Sequence, residues 1–345
     1  MTARERGAIC DIGTGFAYRT VRAAARNRRV RRVNGDSRLP AEVPIDKALA
    51  AALLQSQFPD LAGLGLGSHH EGVDNVTIRL GDALAVRLPR RKVGETHVAT
   101  EFGWLPKISD EWTFPLPRPV RMGEPEAAYP WRWSVVTWVD GATAYDAPLT
   151  ADGAKDLGRA LAQVHVSMPR DAPRNPFRSV PLTARAERLD TRLEVLVTRH
   201  GNAIHPSVAR AIFRDGATQE LGPLTWTHLN IHGRNIITKG GRLGGILEWG
   251  HAAAGDPASD LGQALTLVGD EYFEHLARAY AAAGGAAATD GSLSDATIAR
   301  IRAEAVAYAT LLAGIEEDGH GEAGWAALSA WGVIDAALDG PQGPA

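Results

Sequence analysis

The sequence has little that could cross-link the chain or place it in a membrane. It contains one cysteine, Cys10, so no disulfide can form within the chain. It has no run of about 18 apolar residues, the length that spans a bilayer as a helix. The N-terminus lacks the basic segment, apolar run and small-residue cleavage site of a secretory signal. We therefore expect a cytoplasmic protein without a membrane partner.

A large excess of one charge is also missing. The 37 Lys and Arg residues nearly balance the 40 Asp and Glu residues, which gives a formal net charge of −3. This balance argues against a chain built mainly to coat nucleic acid, so nucleic acid is not an expected partner. Arginines are concentrated locally in residues 1–40, which we expect to be a disordered extension; an arm that binds nucleic acid or an acidic partner is the alternative.

The pattern of apolar residues predicts two regions of different character. At 345 residues the chain exceeds one typical domain. Apolar residues alternate with others on both sides of a Gly-Asp turn at 81–82, which is typical of a β-hairpin, and further strand and helix signals fill residues 65–140. Beyond Thr150, a good helix N-cap, the periodicity is mostly helical, apart from two short β segments around Gly240–Gly241.

One spacing in the second region is typical of a phosphoryl-transfer site. Kinase-type transfer needs a loop over the phosphates, a cation on them, metal-binding oxygens and a carboxylate that faces the acceptor hydroxyl. The base and a metal-binding Asn are usually five residues apart, and a turn with an acidic metal ligand follows. Asn230 and Asn235 have this spacing.

Six segments in order carry a family resemblance. In the second region these are WTHLNIHGRNII (226–237), GILEWG (245–250) and GDPASDL (255–261); in the first they are EGVDN (71–75), AVRLPRR (85–91) and EFGWLPKI (101–108). The first three resemble the catalytic loop, the metal-binding turn and the segment that follows it in the aminoglycoside phosphotransferase family. The other three resemble the phosphate loop of that family, the strand that carries its phosphate-binding cation and the helix that supports this cation. The similarity extends from about residue 44 to the mid-330s.

The resemblance implies a bilobal α+β protein-kinase-like fold with a small β-rich N-lobe and a larger helical C-lobe. The expected divisions are an N-lobe over 41–138, a C-lobe over 139–338 with a catalytic-loop-like segment at 226–262, and a tail over 339–345. The implied cofactors are ATP and Mg²⁺ if phosphoryl transfer is retained, and otherwise none. The implied substrate is a small molecule with a hydroxyl group, and no oligomeric state is indicated.

The resemblance also assigns roles residue by residue. The expected catalytic-loop residues are Asn230, His228 and His232; the expected nucleotide-binding residues are Gly72, Arg87, Glu101, Thr137 and Val139; the expected metal ligands are Asn235 and Glu248. Arg87 is the candidate phosphate-facing cation and Glu101 its partner, although Arg79, Arg90 and Arg91 lie close in sequence. Thr137 to Val139 would offer backbone groups to adenine.

Several residues differ from the family pattern where the chemistry should occur. Asn230 stands in place of the catalytic Asp, and an amide can orient a hydroxyl but cannot accept its proton. Glu248 stands in place of the metal-binding Asp and is one methylene longer, while an octahedral metal site tolerates displaced ligands poorly. Leu229 and His70 replace glycines. The prediction is therefore an impaired phosphotransferase, because a general base typically contributes about 10²- to 10⁴-fold.

Two alternatives remain open from the sequence. The cleft could catalyse a phosphate-free reaction on a small molecule without ATP, or the chain could be a non-catalytic pseudokinase that binds a ligand or partner. A zinc site at His228 and His232 is disfavoured because the segment reads as a loop without an HExxH motif. Asp256 and Asp260 are expected to organise the loop and cap a helix, and the acidic segment 316–322 could attract a cationic acceptor or be a solvated helix end.

Overall fold

The computed structural model describes residues 41–72, 74–315 and 320–335. The predictions for residues 1–40 and 339–345, and for most of the acidic segment 316–322, lie outside the described residues. Within them the first region contains two helices and five strands: α1 (Lys47–Gln57), β1 (Leu66–Glu71), β2 (Asn75–Leu80), β3 (Leu84–Pro89), α2 (Lys92–Ile108), β4 (Pro119–Gly123) and β5 (Trp133–Thr137). The strands form one antiparallel sheet in the order β1-β2-β3-β5-β4.

The predicted hairpin is the centre of this sheet. Strands β2 and β3 pair so that Ile78 lies opposite Val86, and both side chains are fully buried. The chain reverses at Gly81, whose φ of +58° is unfavourable for residues with a Cβ. Because side chains alternate across a strand, the apolar set of both strands reaches one core under α1.

Helix α2 lies between the sheet and the second region. Its buried face includes Val98, Glu101 and Leu105. At its N-terminal half it contacts a 3-10 turn of the second region so closely that a Cβ on Gly250 would lie 2.3 Å from the Cβ of His97. The absence of a side chain at Gly250 therefore allows the approach that holds α2 beside the metal turn.

The second region is mainly helical, with two small sheets inserted. Its elements are β6 (Ala142–Thr143), α3 (Ala151–Val164), α4 (Ala186–His200), α5 (Pro206–Ala217), β7 (Thr225–Thr227), β8 (Ile236–Lys239), β9 (Arg242–Ile246), β10 (Ala253–Gly255), α6 (Pro257–Ala282), α7 (Asp295–Ala313) and α8 (His320–Ala330). Strands β6, β8 and β9 form one sheet, and β7 pairs with β10. The main core lies between α3, α6 and α7, around Leu157, Leu261 and Ile301.

The α+β class with a β-rich first region and a helical second region is as predicted. Thr150 caps α3 by accepting the N–H of Gly153 at 3.3 Å. Helix α6 is interrupted at Gly269, whose φ of +70° is not helical, so a new helical pattern begins near residue 270. No helix in the described residues is both long enough and apolar enough to cross a membrane.

Candidate active site

A buried guanidinium joins three elements at the centre of the candidate site. Arg87 on β3 donates from Nη1 to Oε2 of Glu101 on α2 at 2.6 Å, and its Nη2 lies 2.8 Å from Oε1 of Glu248. Burial alone would lower the pKa of Arg87, but the charges and hydrogen bonds of the two carboxylates outweigh it, and the pKa is raised. The cation therefore stays charged between the sheet, α2 and the metal turn.

The neighbouring arginines make other contacts. Arg79 donates to the backbone carbonyls of Gly81 and Asp82 in the hairpin turn. Arg90 donates to the carbonyl of Gly72 at 3.0 Å, and Arg91 pairs with Asp74 at the β1–β2 turn. Among the four arginines of this hairpin that were candidates, Arg87 is the one that the structure places beside Glu101 and Glu248.

The segment resembling a catalytic loop is held from behind by α6. The carboxylate of Asp260 accepts the backbone N–H groups of His228 and Leu229, each at 2.6 Å. The side-chain oxygen of Gln263, one helical turn later, accepts the N–H of Ile231 at 2.6 Å. These bonds hold Leu229 at a φ of +62°, a conformation that costs a branched side chain about 1–3 kcal/mol.

His228 is fully buried and shapes the loop through both ring nitrogens. Nε2 donates to the carbonyl of Leu247 at 2.8 Å, and Nδ1 accepts the N–H of Asn230 at 3.1 Å. Burial lowers the pKa of His228, which keeps the ring in this neutral form. His232 accepts the N–H of Arg234 at 3.3 Å in the same way. Both rings therefore have hydrogen bonds within the loop.

Asn230 contacts a cation that the sequence did not single out. Nη1 of Arg178 lies 3.2 Å from Oδ1 of Asn230, and the same nitrogen donates to the carbonyl of Leu229. The backbone carbonyl of Asn230 accepts from Nδ2 of Asn235 at 2.9 Å. The side-chain oxygen of Asn230 is thus directed towards a positive charge, which a carboxylate at this position would neutralise.

The two expected metal ligands lie on adjoining backbone segments. The N–H of Leu247 donates to the carbonyl of Asn235 at 2.8 Å, which fixes the turn carrying Glu248. Oε2 of Glu248 also accepts from Nδ2 of Asn75 at 3.2 Å, and Oδ1 of Asn75 is buried without a hydrogen-bond partner among the described residues. A carboxylate and amide oxygens are ligands that Mg²⁺ accepts, so these side chains fit a metal next to bound phosphate.

The residues expected to bind the nucleotide through their backbone lie at the ends of two strands: Gly72 follows β1, whereas Thr137 ends β5 and Val139 follows in the segment that links the two regions. The N–H of Gly72 donates to the carbonyl of Asn75 at 2.8 Å and closes the β1–β2 turn. Thr137 ends β5, and its N–H donates to the carbonyl of Arg118. Val139 follows in the linker and packs against Gly245, where an added Cβ would lie 2.6 Å from the valine. The linker backbone is therefore held closely against β9.

A cavity of about 680 Å³ is lined in part by Arg178, the residue that contacts Asn230. Its wall includes Asp74 from the β1–β2 turn, His251 from the 3-10 turn Trp249–His251 and Gln263 from α6. Six arginines also line it: Arg91, Arg174, Arg178, Arg185, Arg188 and Arg192. Sequence reasoning missed this set, although the i, i+3, i+7 spacing of Arg185, Arg188 and Arg192 indicates one helix face.

Three side chains in the wall of this cavity lie close together. The ligand atoms of Asp74, His97 and His251 all lie within 4.8 Å of one another. The two imidazole rings are stacked at an angle with centroids 4.3 Å apart. Burial, followed by the charge of His97, lowers the pKa of His251 to about 2, so this ring is neutral. The neutral ring of His251 therefore contrasts with the charged arginines of the same wall.

Comparisons with known proteins agree with this architecture. Solved structures that match include the GDP complex of wild-type aminoglycoside 2'-phosphotransferase-IIIa (17% identity, 84% of this chain and 99% of that chain, TM-score 0.64). Another is the apoenzyme of macrolide 2'-phosphotransferase MphH from Brachybacterium faecium (20% identity, 85% and 99%, TM-score 0.52). A third is the streptomycin-ATP-APH(2")-IIa ternary complex (15% identity, 81% and 95%, TM-score 0.53). At these identities the matches establish the protein-kinase-like fold.

The sequence itself gives the family. No curated protein sequence matches the chain significantly. The model of the phosphotransferase enzyme family matches residues 66–295, which are 230 of the 345 residues and include the β1–β2 turn, the loop at 226–237 and the metal turn. The chain therefore belongs to the phosphotransferase enzyme family.

Proposed function

We propose that the chain transfers the terminal phosphoryl group of a nucleoside triphosphate, with Mg²⁺, to a hydroxyl group of a small molecule. The observation that carries this proposal is the buried position of Arg87 between Glu101 and Glu248. The family membership supports it, as do matching structures that contain GDP or ATP.

The energetics of this group favour a role in binding phosphate. Removing charges from water is costly, and a buried ion pair is often no more stabilising than an apolar replacement of similar shape. A group of one cation and two carboxylates at the centre of the cleft is therefore poorly explained by stability alone. Its arrangement would suit a phosphate at the guanidinium, with a metal held by Glu248 and Asn235. Such a metal supplies charge neutralisation and orientation of the phosphate oxygens.

The role of Asn230 in this proposal is positioning. The acceptor oxygen forms a bond to phosphorus while the bond from phosphorus to the leaving nucleoside diphosphate oxygen breaks. The hydroxyl proton leaves to solvent or to a phosphate oxygen, because the amide of Asn230 cannot take it. Positioning and electrostatics provide most of the catalysis in such reactions, so we expect transfer that is slower by about 10²- to 10⁴-fold than with a base.

Calorimetric titration with ATP and with GTP, with and without Mg²⁺, tests the proposal. We expect metal-dependent binding that weakens at least about 10-fold in Glu248→Gln, because the substitution removes the charge of a metal ligand. Glu274→Gln, on an exposed part of α6, is the matched control and should bind like the unmodified protein. Absence of binding at millimolar nucleotide, or binding that is insensitive to a chelator, would contradict the proposal.

The contact between Arg178 and Asn230 favours one alternative. A loop without a base, next to a cation, could serve a reaction that needs only orientation and charge stabilisation, without ATP. That function predicts turnover that persists without nucleotide and in the presence of a chelator. A pseudokinase, the remaining alternative, predicts ligand binding without turnover.

A further inference from the structure

Two residues in the wall of the arginine-lined cavity also contact the catalytic-loop-like segment at 226–237. Arg178 is part of its wall and also contacts the side-chain oxygen of Asn230. Gln263 is part of the same wall and holds the N–H of Ile231. The β1–β2 turn contributes Asp74 to the wall. Two residues of the wall, Arg178 and Gln263, thus contact the loop directly, and the expected phosphate-binding turn adds a third wall residue.

The charges in this wall are unbalanced. Two carboxylates, Asp74 and Glu304, face the six arginines, and they pair with Arg91 and Arg185. Among the described residues, no carboxylate oxygen lies within 4.0 Å of the other four arginines, which are Arg174, Arg178, Arg188 and Arg192. Six cations against two anions leave a formal excess of four positive charges around about 680 Å³.

Neutral groups hold three of these four guanidinium groups in place. Nη1 of Arg192 donates to the carbonyl of Ala307 at 3.1 Å, and Nη1 of Arg188 donates to the carbonyl of Phe177 at 3.0 Å. Arg178 lies over the ring of Tyr308, 5.8 Å from its centroid, in addition to its bonds with the loop. Each guanidinium has five N–H donors, so these contacts leave donors for a ligand.

The crowding affects the ionisation of Arg192. Burial, followed by the positive charges of Arg178, Arg185 and Arg188, lowers the pKa of Arg192 to about 10. Like charges brought together in a partly buried wall destabilise the protein unless a ligand compensates them. An oxyanion in the cavity would provide that compensation through charge-assisted and bidentate hydrogen bonds.

We propose that this cavity binds the acceptor, and that the acceptor is a small hydroxylated molecule carrying a carboxylate or phosphate group rather than a polycation. The assignment of the ligand as the acceptor rests on the proposed phosphoryl transfer; binding of an oxyanion in the cavity does not. A polyamine antibiotic such as kanamycin would meet a positive wall, and repulsion would oppose its binding.

The first test uses inorganic phosphate and citrate as probes, in the absence of nucleotide and at constant ionic strength. Titration calorimetry should detect binding of at least one of these oxyanions, and neither glycerol nor kanamycin should bind comparably. Arg192→Gln and Arg174→Gln should each weaken oxyanion binding about 10-fold or more, because each removes a cation from the wall. Arg278→Gln removes an exposed cation of α6 and should leave the affinity unchanged. Binding of kanamycin in preference to both oxyanions would overturn the proposal.

Thermal stability distinguishes a binding role from a structural one. In anion-free buffer Arg192→Gln should melt at a higher temperature than the unmodified protein, since it relieves repulsion among four cations. Added phosphate should raise the melting temperature of this variant less than that of the unmodified protein. A lower melting temperature together with an unchanged gain from phosphate would show that Arg192 is structural and would overturn the assignment. Arg174→Gln, which changes an exposed side chain, provides the binding readout should Arg192→Gln fold poorly.

The outcomes separate this inference from the proposed function. Oxyanion binding that depends on Arg192, without any binding of magnesium nucleotide, would retain the anion site and reject phosphoryl transfer. Nucleotide binding without oxyanion binding would reject only the anion site. When both occur, ADP release in the presence of glycerate and of glycerol phosphate distinguishes a carboxylate acceptor from a phosphate acceptor, and faster release with kanamycin than with either would refute the acceptor class.

Discussion

Replacing Asn230 by Asp should introduce a base that is weakened by its neighbour Arg178. The donor nitrogen of Arg178 lies 3.2 Å from Oδ1 of Asn230, so a carboxylate oxygen at that position would be in ion-pair contact. At an effective dielectric constant of about 20, two unit charges at this distance attract by about 5 kcal/mol before desolvation is subtracted. Pairs of this kind lower the pKa of an Asp by about 1–3 units from about 3.9, which corresponds to about 1.4–4 kcal/mol.

The consequence is a coupling between two substitutions that can be measured without knowing the acceptor. We expect Asn230→Asp and Arg178→Gln to be non-additive by about 1.4–4 kcal/mol in the free energy of unfolding at pH 7. Because the Asp has a lowered pKa when folded, its contribution is present above its unfolded pKa near 3.9 and is lost as the pH falls through the folded pKa. Urea titrations of the four proteins at pH 7 give the coupling.

The same cycle has a kinetic readout in ADP release from magnesium ATP. A carboxylate of lower pKa is a weaker base, so Asn230→Asp alone should recover less than the 10²- to 10⁴-fold that a general base typically provides. The double variant, in which the carboxylate no longer faces the guanidinium, should release ADP faster than Asn230→Asp. Arg278→Gln, on an exposed part of α6 and outside the cavity lining, is the control. Additivity within about 0.5 kcal/mol together with no kinetic gain in the double variant would refute the reasoning.

Two further predictions concern the turn at 249–251 and helix α2. His251 has a pKa lowered to about 2, so below about pH 6.5 the unfolded chain binds a proton that the folded chain does not, and the free energy of unfolding decreases as the pH falls from 6.5. His251→Asn should reduce the decrease in unfolding free energy between pH 7 and 4.5 by about 3 kcal/mol in urea titrations. An unchanged decrease in the variant would contradict this prediction. Gly250→Ala should destabilise the protein by about 1–3 kcal/mol and weaken nucleotide binding, because its Cβ would lie 2.3 Å from that of His97. Gly103→Ala, at an open position of α2, should instead stabilise the protein by about 0.5–1 kcal/mol. Equal nucleotide affinities of the two variants in calorimetry would show that the close approach of Gly250 to His97 is unimportant for binding.

The parts of the fold that the sequence predicts are those whose pattern is local. The β2–β3 hairpin has alternating buried side chains on both sides of Gly81, and Thr150 starts a helix with a side-chain cap. Strands β1 and β4 lie at the two edges of the sheet; β1 is almost entirely exposed and β4 is mostly partly buried or exposed, so neither shows a clear alternation. Edge strands of this kind are recognised only when their partner is known.

In the candidate site, too, the sequence predicts features that depend on local spacing and misses those that depend on long-range contacts. The spacing of Asn230 and Asn235 is local, and sequence comparison identifies the segment. The choice of Arg87 among neighbouring arginines depends on which side chain faces α2, which requires the three-dimensional register of β3. The contact of Arg178 with residue 230 joins positions 52 residues apart, and no local pattern indicates it. Long-range contacts of polar side chains therefore account for most of what was missed.

The neutral side chain at residue 230 and the positive cavity are consistent with one physical requirement. An Asp at this position would pair with Arg178, withdraw one cation from the wall and place a negative charge beside an incoming anion. Asn230 accepts a hydrogen bond from Arg178 and so keeps the guanidinium oriented without neutralising it. For an anionic acceptor the loss of a general base would be offset in part by stronger binding next to the loop, since like-charge repulsion is removed. In the proposed reaction, the residue that leaves the loop without a general base is thus also the one that would let an oxyanion approach the expected phosphate-binding turn.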